Sequence, residues 1–466
     1  AGRAGHRPGE VSRILMVPTH AFEIVEVLAA RRALAQRVME ERRPPRLCLD
    51  VLAQHLVTLA LGGGFTRAEA LAEVRATDAF SELGEADFDQ VIDLIVRGGA
   101  SLASYPDYRR VVEADGRYTV DDRRIAVLHR WSIGTIVADG ALQVRYLKGP
   151  TLGSIEEGFL SRLTAGDRFL FAGRTLELVK IRDMVAYVRR ANGRAGAVPQ
   201  WMGGKMPLSS QLADQVLGVF DQPVGADPEW LLLQPLLSLQ RELSALPRRG
   251  ELLVEHLRSR DGHHLALYPF AGRSVHEGLA ALLAHRIGRC APSSFSYAIN
   301  DYGFMLTSRK PILIEPADWE HLFSSEDLDA DLAASINLAE LARRQFREIA
   351  RIAGLTFGGL PGRTRTLRQL QASSSLLFDV LREHDPEHVL LGLAQRQALE
   401  QELDRDGLLG CLHRSRDSQR VELRPRTLTP LSFPLWAERF RGQLSHEDWQ
   451  TRMRAVAEQL ERRMPA

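Results

Sequence analysis

The first six residues, Ala1-Gly2-Arg3-Ala4-Gly5-His6, set an arginine between glycines, just ahead of a short apolar run. A guanidinium presents a planar fork of donors that meets phosphate oxygens two at a time, and flanking glycines let the backbone come close. A flexible terminus has the same composition, so phosphate chemistry and plain flexibility both stay open. A second concentration lies between Gly134 and Lys205. Eleven Lys/Arg (Arg145, Lys148, Arg162, Arg168, Arg174, Lys180, Arg182, Arg189, Arg190, Arg194, Lys205) face six acids (Asp139, Glu156, Glu157, Asp167, Glu177, Asp183), a surplus of five. Cations on strands beside an aromatic ring suit a single nucleic-acid strand, the charge following phosphates and the ring stacking on bases. A solvated sheet face would look the same. Trp201, in Pro199-Gln200-Trp201-Met202-Gly203-Gly204, sits where prolines and glycines fix a loop around one large ring. It is either a core residue or a ring held out for stacking. His263-His264 and His276-Glu277 invite a metal reading, but no spacing gathers three or four donors, and no metal site is expected. Arg273 and His276, on a helix after a strand, could contact phosphate, and Asn300-Asp301-Tyr302-Gly303 reads as a turn.

These residues need a sizeable scaffold, and 466 residues are enough for two to four domains. A hydrophobic fraction of 45% and a charged fraction of 26% are ordinary for a globular protein, and a net charge of +1 can hide a basic face. Cys48, Cys290 and Cys411 are too scattered to form a metal or redox pair, which suits a reducing, cytoplasmic setting. No apolar run reaches the roughly 18–20 residues of a membrane span, since even Val51–Leu61 contains Gln54, His55 and Thr58. The N-terminus lacks a signal-peptide pattern and reads as the middle of a motif.

Along the chain, Ser12–Pro18 has strand length and Ala21–Ala35 carries Phe22, Val25, Leu28 and Ala29 on one helical face. This order suits the edge of an α/β domain. Pro44–Leu61 predicts a helix stopped by Gly62-Gly63-Gly64; Thr66 caps another, with Glu69 in capping-box position. A third helix, about Glu85–Val96, precedes strands flanking Asp115-Gly116, a hairpin signal. Three helices and a two-stranded wing make a winged helix. From Ile133 to Val198 the runs Gly134–Ala138, Leu142–Leu147, Arg168–Phe171, Leu176–Ile181 and Met184–Arg189 predict a small β-barrel or sandwich. Further on the pattern mixes helices (Ser209–Phe220, Glu229–Ala245, Val275–Arg289) with strands (Leu252–Leu257, Leu265–Tyr268, Phe295–Ile299, Phe304–Leu306). A late hairpin is expected from Leu408–Leu412 and Arg420–Leu423.

Several blocks resemble one family in order. Gly2–Phe22 (GRAGHRPGEVSRILMVPTHAF) is similar to the tail of helicase motif VI in Lhr-type superfamily 2 helicases, where the motif reads Gln-Arg-x-Gly-Arg-Ala-Gly-His. Ile133–Val137, Arg145-Tyr146-Leu147, Gly153–Phe159, Gly196–Pro207, Leu267–Ala280 and Ala298–Leu306 continue the resemblance to about Leu338, most closely to the ligase-associated DEXH-box branch. The resemblance implies an α+β multidomain fold. Its parts would be a C-terminal remnant of a second RecA-like domain (1–35), a winged helix (36–130), a β-barrel region (131–207) and a mixed, mainly helical C-terminal region (208–466). It also implies an ATP-dependent 3′→5′ helicase acting in DNA repair on single-stranded and forked DNA or an RNA–DNA hybrid, beside an ATP-dependent ligase and repair nucleases.

By that resemblance Arg3 is the γ-phosphate arginine, Trp201 stacks on the tracking strand, and Ile136, beside Thr135, couples motor to DNA. Burial in the barrel is the other reading of Ile136. Arg145 and Lys148 are the candidate phosphate contacts. ATP and Mg²⁺ belong to the complete helicase. This sequence has no Gly-x-x-x-x-Gly-Lys-Ser/Thr and no Asp-Glu-x-His, so no nucleotide cofactor and no ATPase activity are expected of the chain alone. A stand-alone DNA-binding module is the rival reading. A metal-dependent nuclease would need a carboxylate cluster that the sequence lacks.

Overall fold

The computed structural model describes all residues except 1–4, 6, 12, 42–43, 136–140, 157–164, 172–173, 183–184, 192–206, 222–227, 292, 337, 358, 361–362, 365–366, 439–446 and 465–466. Two compact units interleave along the chain. One is built from residues 1–41, 206–336 and 403–466, the other from 42–205 and 337–402. The consecutive segments read from the sequence run across this interleaving.

In the first unit, α1 (Ala21–Gln36) buries the face its periodicity predicts: Phe22, Val25, Leu28 and Ala29 pack with Trp230, Tyr268, Met305 and Trp436. The segment expected to close an α/β domain is therefore part of this unit's core. Phe22 lies against Tyr302 (ring centroids 5.2 Å apart), whose hydroxyl donates to Glu26. Of the strand expected over Ser12–Pro18, the described residues Arg13–Pro18 form none, and Ile14, Leu15 and Val17 are exposed. A strand exists through ladder bonds to a neighbour, and none of the described strands lies beside it.

The unit's sheet runs in the order Ser296–Ile299, Phe304–Ser308, Gly262–Tyr268, Glu251–Ser259, Gln419–Leu423; only the last pairing is parallel. Strand alternation sorts its side chains into two cores. Leu252, Val254, Leu265 and Leu267 pack with Val275, Leu279 and Leu283 of the helix Arg273–Cys290, while Leu253, Leu257 and Ala266 pack with α1. The expected hairpin at Leu408–Leu412 is instead part of the helix Arg405–Asp417, because Leu408, Cys411 and Leu412 share a buried helical face. Its supposed partner, Gln419–Leu423, is a strand and joins the sheet edge.

The second unit opens with a winged helix: α2 (Leu49–Leu61), β1 (Phe65–Thr66), α3 (Arg67–Arg75), α4 (Glu85–Arg97), β2 (Val112–Ala114) and β3 (Arg117–Thr119), the strands ordered β1-β3-β2. The capping box is present, with Thr66 N donating to Glu69 Oε2 at 2.9 Å and Glu69 N donating to Thr66 Oγ1 at 3.4 Å. Asp115 (φ 51°) and Gly116 (φ 75°) both take the left-handed conformation that a two-residue hairpin turn demands. Ala342, Phe346 and Ile349 from the returning segment, with Phe378 and Leu390, complete one core with Leu52, Leu56 and Phe88. Helix α5 (Arg123–Ser132) follows the wing.

The last part of this unit is a five-stranded sheet of β4 (Ala141–Tyr146), β5 (Thr151–Glu156), β6 (Arg168–Phe171), β7 (Arg174–Arg182) and β8 (Val185–Arg190), ordered β5-β4-β8-β7-β6. The β4–β8 pair is parallel, the others antiparallel. Edge strands β5 and β6 do not pair with each other among the described residues, so this is an open sheet where a barrel was expected. Closure needs strand tilt and a register shear sustained around the whole ring, and a count of strands does not reveal either. Strand β5 was not expected; Pro150 and Gly153 break its pattern. The Gly134–Ala138 run lies mostly outside the described residues.

Candidate nucleic-acid interface

Period-two alternation gives the β4–β8 sheet two different faces. Val144, Ile155, Phe169, Leu176, Leu178, Ala186 and Val188 form a small apolar core on one side. On the other side the register places Arg145 of β4, Tyr187 of β8 and Lys180 of β7 in one row across three adjacent strands. Lys180 holds its ammonium 5.4 Å from the Tyr187 ring centroid. The next row, Arg189–Glu177–Arg168, is closed by ion pairs: Glu177 lies 2.5 Å from Arg189 and 4.0 Å from Arg168. No carboxylate among the described residues is within ion-pair distance of Arg145, Lys148, Arg174, Lys180 or Arg190.

Lys148 is exposed in the turn after β4, and Arg145 Nε donates to Gly149 O of the same turn (3.2 Å), so the two expected cations share one end of the sheet. Lys148 also borders a shallow depression of about 340 Å³ with Tyr146, Leu147, Val188, Arg189 and Arg190. The Tyr146 hydroxyl accepts from Arg190 Nε (3.3 Å) and Arg174 Nη1 (3.5 Å), and these guanidiniums, Arg190 first, lower the phenol's pKa. Such a cluster attracts anions.

Thr135 is exposed in the segment after α5, and its neighbour Gly134 is held from both sides by one buried amide. Gly134 N donates to Gln54 Oε1 (2.9 Å), while Gln54 Nε2 donates to Gly134 O (3.3 Å) and Ile352 O (2.9 Å). Gln54 thus ties the start of Gly134-Thr135-Ile136 to α2 and to the returning helix. Close by, burial and then the nearby cations Arg110 and Arg130 push the His129 pKa down to about 4, leaving a neutral ring within 2.8 Å of Thr58 Oγ1. Arg3, Ile136 and Trp201 lie outside the described residues.

The other candidates resolve into structure. His276 is fully buried, its Nδ1 2.7 Å from Asn300 O and its Nε2 accepting from Ala271 N (3.0 Å); burial drives its pKa to about 4. Arg273 is half-buried, its Nε 3.9 Å from Asp301. His264 sits between Ser259 and Thr307 (2.7 and 2.9 Å). Asn300 Oδ1 accepts from Tyr302 N and Gly303 N, both at 2.9 Å, which makes the turn. No cluster of three or more His, Cys, Asp or Glu suits a metal among the described residues. Gly62–Gly64 does not fit a nucleotide phosphate either. Gly62 N and Gly64 N donate back into α2, and Arg117 binds the Gly63 and Gly64 carbonyls.

Two family models match the chain, "Large helicase-related protein, winged helix domain" over residues 32–198 and "DEAD/H associated" over residues 246–432. The chain belongs to the Lhr family. Within it, the chain is 28% identical over 425 residues to "ATP-dependent helicase Lhr-Core protein 2" of Thermococcus barophilus, covering 86% of this chain and 49% of that protein. It is 25% identical to "ATP-dependent helicase Lhr-Core" of Methanocaldococcus jannaschii, covering 93% and 52%. The fold matches that of Mycobacterium smegmatis helicase Lhr, solved with ssDNA and AMP-PNP, at a TM-score of 0.69 and 23% identity, covering 93% of this chain and 54% of the other. The chain spans about half the length of these relatives. The Lhr winged-helix match runs through the β4–β8 sheet to residue 198, taking in Arg145, Lys148 and Gln54.

The cations can be counted in the sequence, but nothing in it singles out Tyr187, Tyr146 or Gln54 as site residues on their own. Alternation in Val185-Ala186-Tyr187-Val188-Arg189 was the available signal for Tyr187, since Ala and Val point inward and leave the ring outside. Nothing local marks Gln54, whose partners are 80 and 298 residues away.

Proposed function

We propose that this chain is the DNA-engaging half of an ATP-dependent 3′→5′ DNA helicase of the ligase-associated DEXH-box branch, acting in DNA repair. The carrying observation is the set of exposed cations on the β4–β8 sheet with no acid among the described residues to neutralise them. Arg145 and Lys148 contact phosphates of the tracking strand, and Trp201 stacks on a base. Thr135 and Ile136 contact the strand from a segment whose first residue Gln54 immobilises. In the complete helicase ATP and Mg²⁺ are held by motor parts that this sequence does not contain; Arg3 meets the γ-phosphate there. The exposed residues Arg13–Val17 complete a RecA-like sheet. The substrates are single-stranded and forked DNA or an RNA–DNA hybrid, in the cytoplasm, beside a ligase and repair nucleases. The chain alone binds single strands and does not hydrolyse ATP.

Binding of the chain to oligo(dT) across a salt series tests the core of this reading. Each phosphate contact contributes roughly 0.7 to the log–log slope for single strands. Charge reversal at Lys148 should lower both affinity and slope. A parent chain that fails to bind at low salt would sink the proposal. For Arg3, Arg3→Ala in the complete helicase should abolish turnover while leaving nucleotide affinity within a few-fold; normal turnover would remove it from the site.

A further inference from the structure

We propose that Tyr187, flanked by Arg145 and Lys180, is a base-stacking step on which a single nucleic-acid strand lies across β4, β8 and β7. This rests on the reading above and adds a residue and a direction to it. The three side chains are register partners, Arg145 opposite Tyr187 and Tyr187 opposite Lys180. Adjacent strands are about 4.8 Å apart, so the two cations bracket the ring across roughly 10 Å, within reach of successive phosphates through their long side chains. Ala186 and Val188 are buried, which fixes the backbone of β8 and leaves the half-buried Tyr187 ring on the opposite face.

The neighbouring row supplies the contrast. Arg168 and Arg189 there are engaged by Glu177, so that row's charge is spent within the sheet. In the Tyr187 row neither cation has a carboxylate partner among the described residues, and the Lys180 ammonium lies over the ring. A lysine on a flexible stem can leave the ring face for a phosphate when a base takes its place. The row holds no amide or carboxylate to read a base edge, so the strand is bound without sequence preference.

The experiment uses the full chain, labelled oligo(dT), and an oligomer of abasic sites that keeps the phosphates and lacks bases. Tyr187→Ala should weaken oligo(dT) binding by about five- to a hundredfold and leave abasic binding unchanged, while Tyr187→Phe stays near the parent. Tyr187→Leu keeps the bulk without a π-face; it must show the Ala loss if Ala itself lowers the melting temperature. Lys180→Ala should lower the salt slope by roughly 0.7, and Arg168→Ala should not. A folded Leu variant that binds oligo(dT) like the parent overturns the step, as does equal loss on both oligomers. Lys148→Glu separates the two claims. If it weakens binding while Tyr187→Leu does not, the step fails and the general reading survives; if the parent binds neither oligomer, the general reading has failed first.

Discussion

Two five-stranded sheets of similar size spend their polar side chains in opposite ways. In the sheet of strands Glu251–Ser259, Gly262–Tyr268 and Phe304–Ser308, both faces are covered, and the buried carboxylate Glu255 is answered by several donors. Glu255 accepts from the Tyr268 hydroxyl (2.8 Å), Thr429 Oγ1 (3.0 Å) and Gln240 Nε2 (3.2 Å), burial raising its pKa. In the β4–β8 sheet one face has an apolar core of seven side chains, and the other carries cations, some bound to Glu177 and some not. Satisfied buried networks fix a structure; unsatisfied exposed charge is free to be answered by a ligand. The second sheet is therefore where binding should be sought.

The largest effect expected from breaking this contrast is at Glu255. Glu255→Ala strands the buried Tyr268 hydroxyl and should cost about 3 kcal/mol of stability, read by denaturant unfolding, with oligo(dT) affinity unchanged while the chain stays folded. Direct loss of binding without destabilisation would erase the distinction between the sheets.

Gln54→Leu should cost about 1–3 kcal/mol, because Gly134 and Ile352 lose the hydrogen bonds that the buried Gln54 amide supplies. Backbone hydrogen exchange at Gly134 and Thr135 should rise beyond that of α2. Uniform change would make Gln54 ordinary packing.

The two units should also differ in mild acid. Asp50 is buried at the start of α2, and its pKa is raised to about 6 by burial. Between its unfolded value of 3.8 and about 6 the folded state holds more protons, so this group's stability contribution falls as pH rises and its penalty is complete above 6. Asp50→Asn should add about 1–3 kcal/mol at pH 7 and nothing below pH 4. His276, in the other unit, works the opposite way. With a folded pKa of about 4 against 6.5 unfolded, its contribution is complete above 6.5 and is lost as pH falls toward 4. Parallel responses of the two units between pH 4 and 6 would contradict these assignments.

Local chemistry was the legible part of the sequence. The Thr66/Glu69 capping box, the Asp115-Gly116 turn and the face of α1 each follow from residues within a turn or two of one another. Arg145 and Lys148 were legible as cations of the strand region, and both are exposed. What depends on distant partners was not legible. Residues 337–402 return to complete the core of Leu52, Leu56 and Phe88, and no local pattern announces where a helix will find its partner. Ser12–Pro18 has strand composition, but no strand lies beside it among the described residues. The same limit hid Gln54, an ordinary polar residue on α2 until Gly134 comes to meet it.

The most direct test is a salt titration of oligo(dT) binding that compares the same charge change on the two sheets. Arg145→Glu with Lys148→Glu removes two proposed phosphate contacts from the β4–β8 sheet, and Arg258→Glu alters an exposed cation on the other. The slope should be smaller by roughly 1.4 for the double variant and unchanged for Arg258→Glu, with melting temperatures near the parent's in both cases. An unchanged slope in the double variant, or a per-charge loss as large at Arg258, would contradict this contrast between the sheets.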